Sequence, residues 1–246
     1  MQIILMGQKA FGKSTLEKFH KETNHEIVAV YCTPDTKNNI FDPIKEYAIS
    51  EGLNIFQPTN FKDKKVIEQI KTHNADLCVM AYYTKYIPKE ARNIPKYGTI
   101  GFHPSLLPLH RGPSAINWSI IKGSKKTGIT IFYPNDKWDE GEVLLQKKII
   151  IDDNETLGDV YFNKIFPLGV DACIEAVDLI NSGKTTRTLQ NESKASYESW
   201  CKKSDSKINW QKPGREIYNL IRGCNPQPGA WSTYNDKVYI FLDVKF

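Results

Sequence analysis

Short apolar runs alternate with amphipathic stretches through the first half of the chain. Residues 3–6, 26–31, 77–80 and 99–102 are rich in aliphatic and β-branched side chains and are bounded by turn residues or charge, the mark of strands. Between them, residues 13–21, 44–50 and 66–73 carry apolar side chains at the helical period. Strands alternating with helices predict βαβ units, a largely parallel sheet and a doubly wound α/β domain. A short helix at 115–121 and strands at 129–133 and 143–151 follow. A long helix is predicted at about 157–181. Pro167 should kink it, because proline lacks the N–H that a helix interior needs, and Gly183 stands where a C-cap belongs.

From residue 184 to 207 the composition shifts to Thr, Ser, Asn, Glu and Lys with few aliphatic residues, which reads as a linker. A helix at 215–222, a turn at 225–229 and a strand at 238–244 complete the chain. The expected organisation is a domain over 1–183, a linker over 184–207 and a small α/β subdomain over 208–246. About forty residues are too few for an independent core, so the tail is either an appendage or the first part of a larger unit.

The chain has 246 residues, 40 % hydrophobic and 25 % charged, which excludes a disordered chain. No window approaches the roughly 18 consecutive apolar residues of a membrane span. The opening Met1-Gln-Ile-Ile-Leu-Met-Gly7 has no basic flank and reads as a strand, not a leader. A cytoplasmic protein without a membrane partner is expected. The net charge of +5, from 33 basic and 28 acidic residues, is spread along the chain. Lys62, Lys64 and Lys65, or Lys202 and Lys203, read as solvated helix ends, which argues against nucleic acid and leaves anionic small molecules as partners. Five cysteines without a Cys-x-x-Cys read as buried thiols in a reducing compartment, with no metal.

Gly7-Gln-Lys-Ala-Phe-Gly12-Lys13-Ser14 fits the phosphate-loop pattern and lies between a predicted strand and helix. Its backbone N–H groups would then cradle phosphates at a helix N-terminus. A Mg²⁺-binding Asp at the end of a second apolar strand is missing, since Asp76 precedes its strand and Asp35 lies beyond Pro34. The plainer reading is a glycine turn joining the first strand to the first helix.

The more informative segment is Gly98-Thr-Ile-Gly-Phe-His103-Pro-Ser-Leu-Leu-Pro108-Leu-His-Arg-Gly112. His103 directly follows an apolar run, at the carboxyl end of a strand, where open α/β sheets bind ligands. Leu106, Leu107 and two prolines give a stiff loop after it. Thirty-six residues on, Trp138-Asp139-Glu-Gly141 places a carboxylate on a turn. On position alone His103 reads as a surface or satisfied core histidine. His110, beside Arg111, reads as structural or surface-exposed.

His103-Pro-Ser-Leu-Leu-Pro108, Arg111-Gly112 and Asp139-x-Gly141 resemble the signature of the folate-dependent formyltransferases, the family of the methionyl-tRNA, glycinamide ribonucleotide and amino-sugar formyltransferases. The likeness is nearest to the hydrolase domain of 10-formyltetrahydrofolate dehydrogenase. It extends through His110-Arg-Gly-Pro-Ser-Ala-Ile-Asn-Trp118, Leu144-Leu-Gln-Lys147, Lys207-Ile-Asn-Trp210 and Pro228-Gly-Ala-Trp231, and so over nearly the whole chain. The resemblance implies a Rossmann-like formyltransferase domain with a small C-terminal appendage, using 10-formyltetrahydrofolate as co-substrate. It implies His103 as the proton carrier and Asp139 as its essential partner. Lys85, Tyr86 and Ile87 match the segment that lines the folate pocket, where an aromatic and an aliphatic side chain suit a flat pterin. The resemblance also implies a share in folate binding for Asp139 and is compatible with a homodimer.

The transferases typically carry Asn two residues before the histidine. Here that position is Gly101, as the dehydrogenase's hydrolase domain also lacks the Asn. An oxyanion donor of this kind is worth about 10²- to 10³-fold in rate. Three functions follow. The first is formyl transfer to a small amine, such as a nucleotide-linked amino sugar. The second is hydrolysis to formate and tetrahydrofolate, and the third is nucleotide binding through Gly7 to Ser14.

Overall fold

The computed structural model describes residues 1–35 and 41–245; Phe246, the last residue of the expected subdomain, lies outside the described residues. Strands β1 (Gln2–Gly7), β2 (Glu26–Tyr31), β3 (Ile55–Phe56), β4 (Leu77–Ala81), β5 (Thr99–His103), β6 (Lys126–Phe132) and β7 (Val143–Ile150) form one sheet in the order β3-β2-β1-β4-β5-β6-β7. β1 pairs in parallel with β2 and β4, β2 with β3, and β4 with β5. β6 and β7 run antiparallel, as the bonds Tyr133 N–H to Glu142 O (2.8 Å) and Ile151 N–H to Lys125 O (3.0 Å) require. The largely parallel sheet read from the pattern is therefore mixed, parallel over β1–β5 and ending in a hairpin. The continuous apolar runs explain the centre. Ile3, Ile4, Leu5 and Leu77 are wholly buried, as parallel strands covered on both faces must be.

Chain order reverses between β1 and β4, so the carboxyl ends of those strands form the switch point at which doubly wound sheets bind ligands. Gly7 and Ala81 face each other there. Helices α1 (Lys9–Glu22), α2 (Pro43–Ser50), α3 (Lys64–Thr72) and α4 (Lys89–Arg92) connect the strands. α1 buries Phe11, Leu16 and Phe19, each burial stabilising by about 2 kcal/mol.

α1 begins at Lys9, and Gly12 N–H already donates to Gln8 O at 3.0 Å. The stretch that a phosphate loop would need as open backbone is helix, so the Gly7–Ser14 match loses the context that gives it meaning. Packing accounts for the glycines instead. A Cβ on Gly7 would stand 2.9 Å from Ile44 Cδ1, and one on Gly12 would stand 3.1 Å from Gly7 C.

The helix α5 (Ala115–Ile121) lies where the pattern puts it. The long helix is interrupted: α6 (Leu157–Val160), a π-helical turn at Tyr161–Ile165, then α7 (Phe166–Asn181). The turn holds Asn163, whose carbonyl is the one that the ring of Pro167 would strike in a regular helix. Gly183 closes α7 at φ +69°, with its N–H on Ile180 O and the Lys184 N–H on Leu179 O.

Two compact units are distinguished, one of residues 1–103, 131–145 and 169–189, the other of 104–130, 146–168 and 190 onwards. In the second unit α8 (Gly214–Gly223) packs on α5, and a Cβ on Gly223 would come within 2.7 Å of Ile121 Cγ1. β8 (Ala230–Tyr234) and β9 (Lys237–Phe241) form an antiparallel hairpin. Ile208, Ile221, Cys224 and Ala230 form a small core there. β8 escaped the sequence pattern because Ala-Trp-Ser-Thr-Tyr is short and half polar.

The stiff loop after His103 is tied down within this second unit. Thr130 Oγ1 donates to Ser105 O (2.6 Å) and accepts from Leu107 N–H (3.1 Å), while Gln146 Nε2 donates to Leu107 O (2.8 Å). Arg111 is fully buried. It grips Glu192 through Nη1 (2.9 Å) and Nη2 (2.7 Å) and donates to Gln190 and Tyr197. Residues 190–198, expected to be linker, are thus held by a bidentate charge-assisted contact.

Candidate active site

His103 is the last residue of β5 and is 5 % exposed. Asp139 sits on the β6–β7 loop at φ +55°, a left-handed conformation that Asp tolerates better than bulkier residues. Two residues on, a Cβ at Gly141 would lie 1.7 Å from Tyr133 O. Only glycine lets the loop pass this close to β6, which is the local reason for the Asp-x-Gly spacing.

The two side chains meet. His103 Nδ1 lies 3.6 Å from Asp139 Oδ2, with both largely shielded from water. That separation is longer than an ordinary hydrogen bond, and it sets the carboxylate facing the imidazole at close range. Catalytic contacts commonly tighten only when substrate binds.

Beside the pair lies a cavity of about 170 Å³, lined by Lys85, Tyr86 and Ile87 on one side and by the loop from Pro134 to Asp139 on the other. Gly101 and Phe102 of β5 contribute its floor. Its volume is near the roughly 150 Å³ that accepts a benzene ring, and it suits one flat ring system. Ile87 is buried at 3 % exposure, whereas Tyr86 stands half exposed at the mouth. A Cβ on Gly101 would meet Pro134 Cγ at 3.3 Å and Phe132 Cε1 at 3.4 Å. A larger residue there must displace those rings.

Lys85, Tyr86, Ile87 and Asp139 thus line one cavity, and His103 adjoins it through Asp139. His110 has a different place: its Nδ1 lies 3.1 Å from Glu198, which Lys122 also approaches at 2.7 Å.

Sequence reasoning missed Arg92 and Asp136. Arg92, 6 % exposed, donates from Nη1 to Ile87 O (2.8 Å) and from Nη2 to Asp136 Oδ1 (2.7 Å). The Arg92 guanidinium holds the Asp136 carboxyl below its usual range. Neither residue lies in a motif, and 44 positions separate them, so only the folded chain reveals the contact. Among the described residues no group of three His, Cys, Asp or Glu side chains is arranged to hold a metal ion, and no helix is long and apolar enough to cross a membrane.

A family model described as formyl transferase matches residues 1–177, and one for the formyl transferase C-terminal domain matches residues 201–246. The methionyl-tRNA formyltransferase of Fusobacterium nucleatum is 40 % identical over all of this chain and 80 % of its own length. The cytosolic 10-formyltetrahydrofolate dehydrogenase of Xenopus laevis is 37 % identical over all of this chain, which spans only 28 % of that longer protein. A sugar N-formyltransferase from a Shewanella species shares the fold, with a TM-score of 0.74 at 23 % identity over 98 % of this chain and 96 % of its own. The Rossmann-like sheet, the small C-terminal hairpin and these matches over the full length give one conclusion: the chain belongs to the formyl transferase family.

Proposed function

We propose that this chain moves the formyl group of 10-formyltetrahydrofolate to a small amine, with His103 as proton carrier and Asp139 as its partner. The observation that carries the reading is the His103–Asp139 pair, 3.6 Å apart at the edge of a cavity sized for a flat ring. The dehydrogenase relative, 37 % identical across the chain, acts on that folate by its name. Lys85, Tyr86 and Ile87 hold the pterin, with Asp139 at its reactive end. The catalytic role falls to residues 1–183, with 184–207 connecting them to the small subdomain at 208–246. The separate family matches at 1–177 and 201–246 support that division.

The chemistry follows from the pair. The amine nitrogen attacks the formyl carbon and loses a proton to His103. The oxyanion is stabilised by the imidazolium, whose charge Asp139 balances. The bond from N10 to the formyl carbon then breaks, and His103 returns the proton to N10. The products are a formamide and tetrahydrofolate.

Hydrolysis is the second reading, with water in place of the amine and formate released. Gly101 favours it by resemblance, since the dehydrogenase's hydrolase domain also lacks an Asn at that position. Incubating the protein with 10-formyltetrahydrofolate alone separates the two. Turnover that needs added amine supports transfer; rapid formate release without amine supports hydrolysis. A nucleotide-linked amino sugar is the first acceptor to supply, because the fold is shared with a sugar N-formyltransferase.

A further inference from the structure

Arg92 ends a four-residue helix, where a basic side chain suits the C-terminal carbonyls, yet only 6 % of it is exposed. Burying a guanidinium is costly, and an apolar side chain of similar volume would fill the place more cheaply. Its partners are unusual for a core residue, because they are the two walls of the folate cavity. Nη1 bonds the carbonyl of Ile87 on one wall, and Nη2 bonds Asp136 on the other. Tyr86 OH reaches the same Asp136 oxygen at 3.5 Å. The Arg92 carbonyl, in turn, accepts from Thr99 Oγ1 at 2.8 Å, at the start of the strand that ends in His103. Nε is buried without a hydrogen-bond partner among the described residues, so the side-chain bonds that Arg92 makes there run to the cavity walls.

We infer that Arg92 is a positioning residue for the folate, a clamp between the Ile87 and Asp136 walls that fixes the gap into which the flat ring enters. Without it, the Ile87 carbonyl and the Asp136 carboxylate lose the guanidinium they share, and the two loops must be ordered by the ligand. That ordering cost appears in affinity. The carbonyl of Ile87 keeps a second lone pair, so the clamp orients an acceptor at the cavity wall without consuming it. The chemical step lies with His103 and Asp139 and depends on the clamp only through the pose it sets. This inference rests on the folate reading above.

The test compares Arg92→Met, Arg92→Lys, Asp136→Asn and the double variant Arg92→Met/Asp136→Asn. Tetrahydrofolate binding is followed by titration and 10-formyltetrahydrofolate turnover by steady-state kinetics. Arg92→Met is expected to raise Kd and KM about tenfold, the scale of one charge-assisted hydrogen bond, with a much smaller fall in kcat. Arg92→Lys keeps the charge without the fork and recovers part of the loss. Asp136→Asn alters a side chain that is 63 % exposed, and so carries the same test without disturbing the interior. It weakens binding in the same direction, and the double variant is little worse than Arg92→Met alone, because the two act as one unit. Folate affinity in Arg92→Met and Asp136→Asn within about twofold of the parent, a difference under 0.5 kcal/mol, overturns the clamp. So does additivity in the double variant, or a fall in kcat with KM unmoved. Failure of the unsubstituted protein to bind tetrahydrofolate overturns the folate reading itself, and the clamp with it.

Discussion

At the residue scale the proposed mechanism rests on one carboxylate whose loop is held by one glycine. Asp139 holds a left-handed backbone and approaches His103, while Gly141 lets the loop pass against Tyr133 O. Gly141→Ala would put a methyl carbon 1.7 Å from that oxygen, so the loop must move. Losses of about 1–3 kcal/mol are usual for overpacking, and here the displacement falls on Asp139. The expected outcome in steady-state assays is a fall in kcat larger than the loss of stability explains. Normal turnover in Gly141→Ala would show that the turn does not place the carboxylate. Gly101→Asn is the companion substitution. Its side chain must push aside Pro134 and Phe132, and a rise in amine transfer would mark the site as a transferase that lacks one donor.

At the element scale, the sequence reveals most where the physics is local. β1, β2, β4 and β5 each lie within one or two residues of their apolar runs, because a strand buried on both faces has no other composition open to it. His103 is legible for the same reason, as the first polar residue after such a run. α1 begins earlier than its apolar spacing shows, because Lys9 is polar and Ala10 is small, so the first turn carries no pattern. The antiparallel turn of β6 and β7 and the Arg92–Asp136 contact are long-range facts that no local signal encodes. The same limit hid β8.

α6 gives an element-scale prediction. Thr156 caps it, with its Oγ1 accepting from Asp159 N–H while the Asp159 carboxylate accepts from the Thr156 N–H and hydroxyl. The Thr156 hydroxyl is the main reason that the Asp159 carboxyl is held below its usual value. A carboxyl lowered in the folded state stabilises above its unfolded pKa of about 4, and that stability is lost as pH falls through the folded value. Thr156→Ala is expected to cost about 1 kcal/mol near neutrality. The gap in denaturation midpoint between the two proteins should narrow below about pH 4. A gap that stays constant into strong acid would show that the cap makes no use of the carboxylate's charge.

At the scale of the whole molecule, the thiols report on how completely the interior is closed. Cys32, Cys78, Cys173 and Cys224 are buried and Cys201 is half-buried, none of them in a disulfide. Burial pushes Cys32, Cys78 and Cys173 up to about 12, so almost no thiolate forms at neutral pH. Cys201 is lowered by a hydrogen bond with the Cys224 thiol, which is itself raised. A thiol reagent at pH 7.5 should therefore label Cys201 first and the other four only on unfolding. Rapid labelling of Cys78 or Cys173 in the native protein would contradict a closed sheet core.

The central claim is that His103 and Asp139 act as one unit on the formyl group of a folate held beside them. Turnover of saturating 10-formyltetrahydrofolate by His103→Ala, with and without an amine, tests it most directly. Asp139→Ala and the double variant are measured alongside, and tetrahydrofolate binding serves as the control for an intact cavity. Each single variant should lose nearly all turnover and the double should be little worse, since residues acting as a unit are not additive. His103→Ala should still bind tetrahydrofolate. Substantial turnover by His103→Ala with the cavity filled would contradict the account and leave the pair a structural feature of the fold.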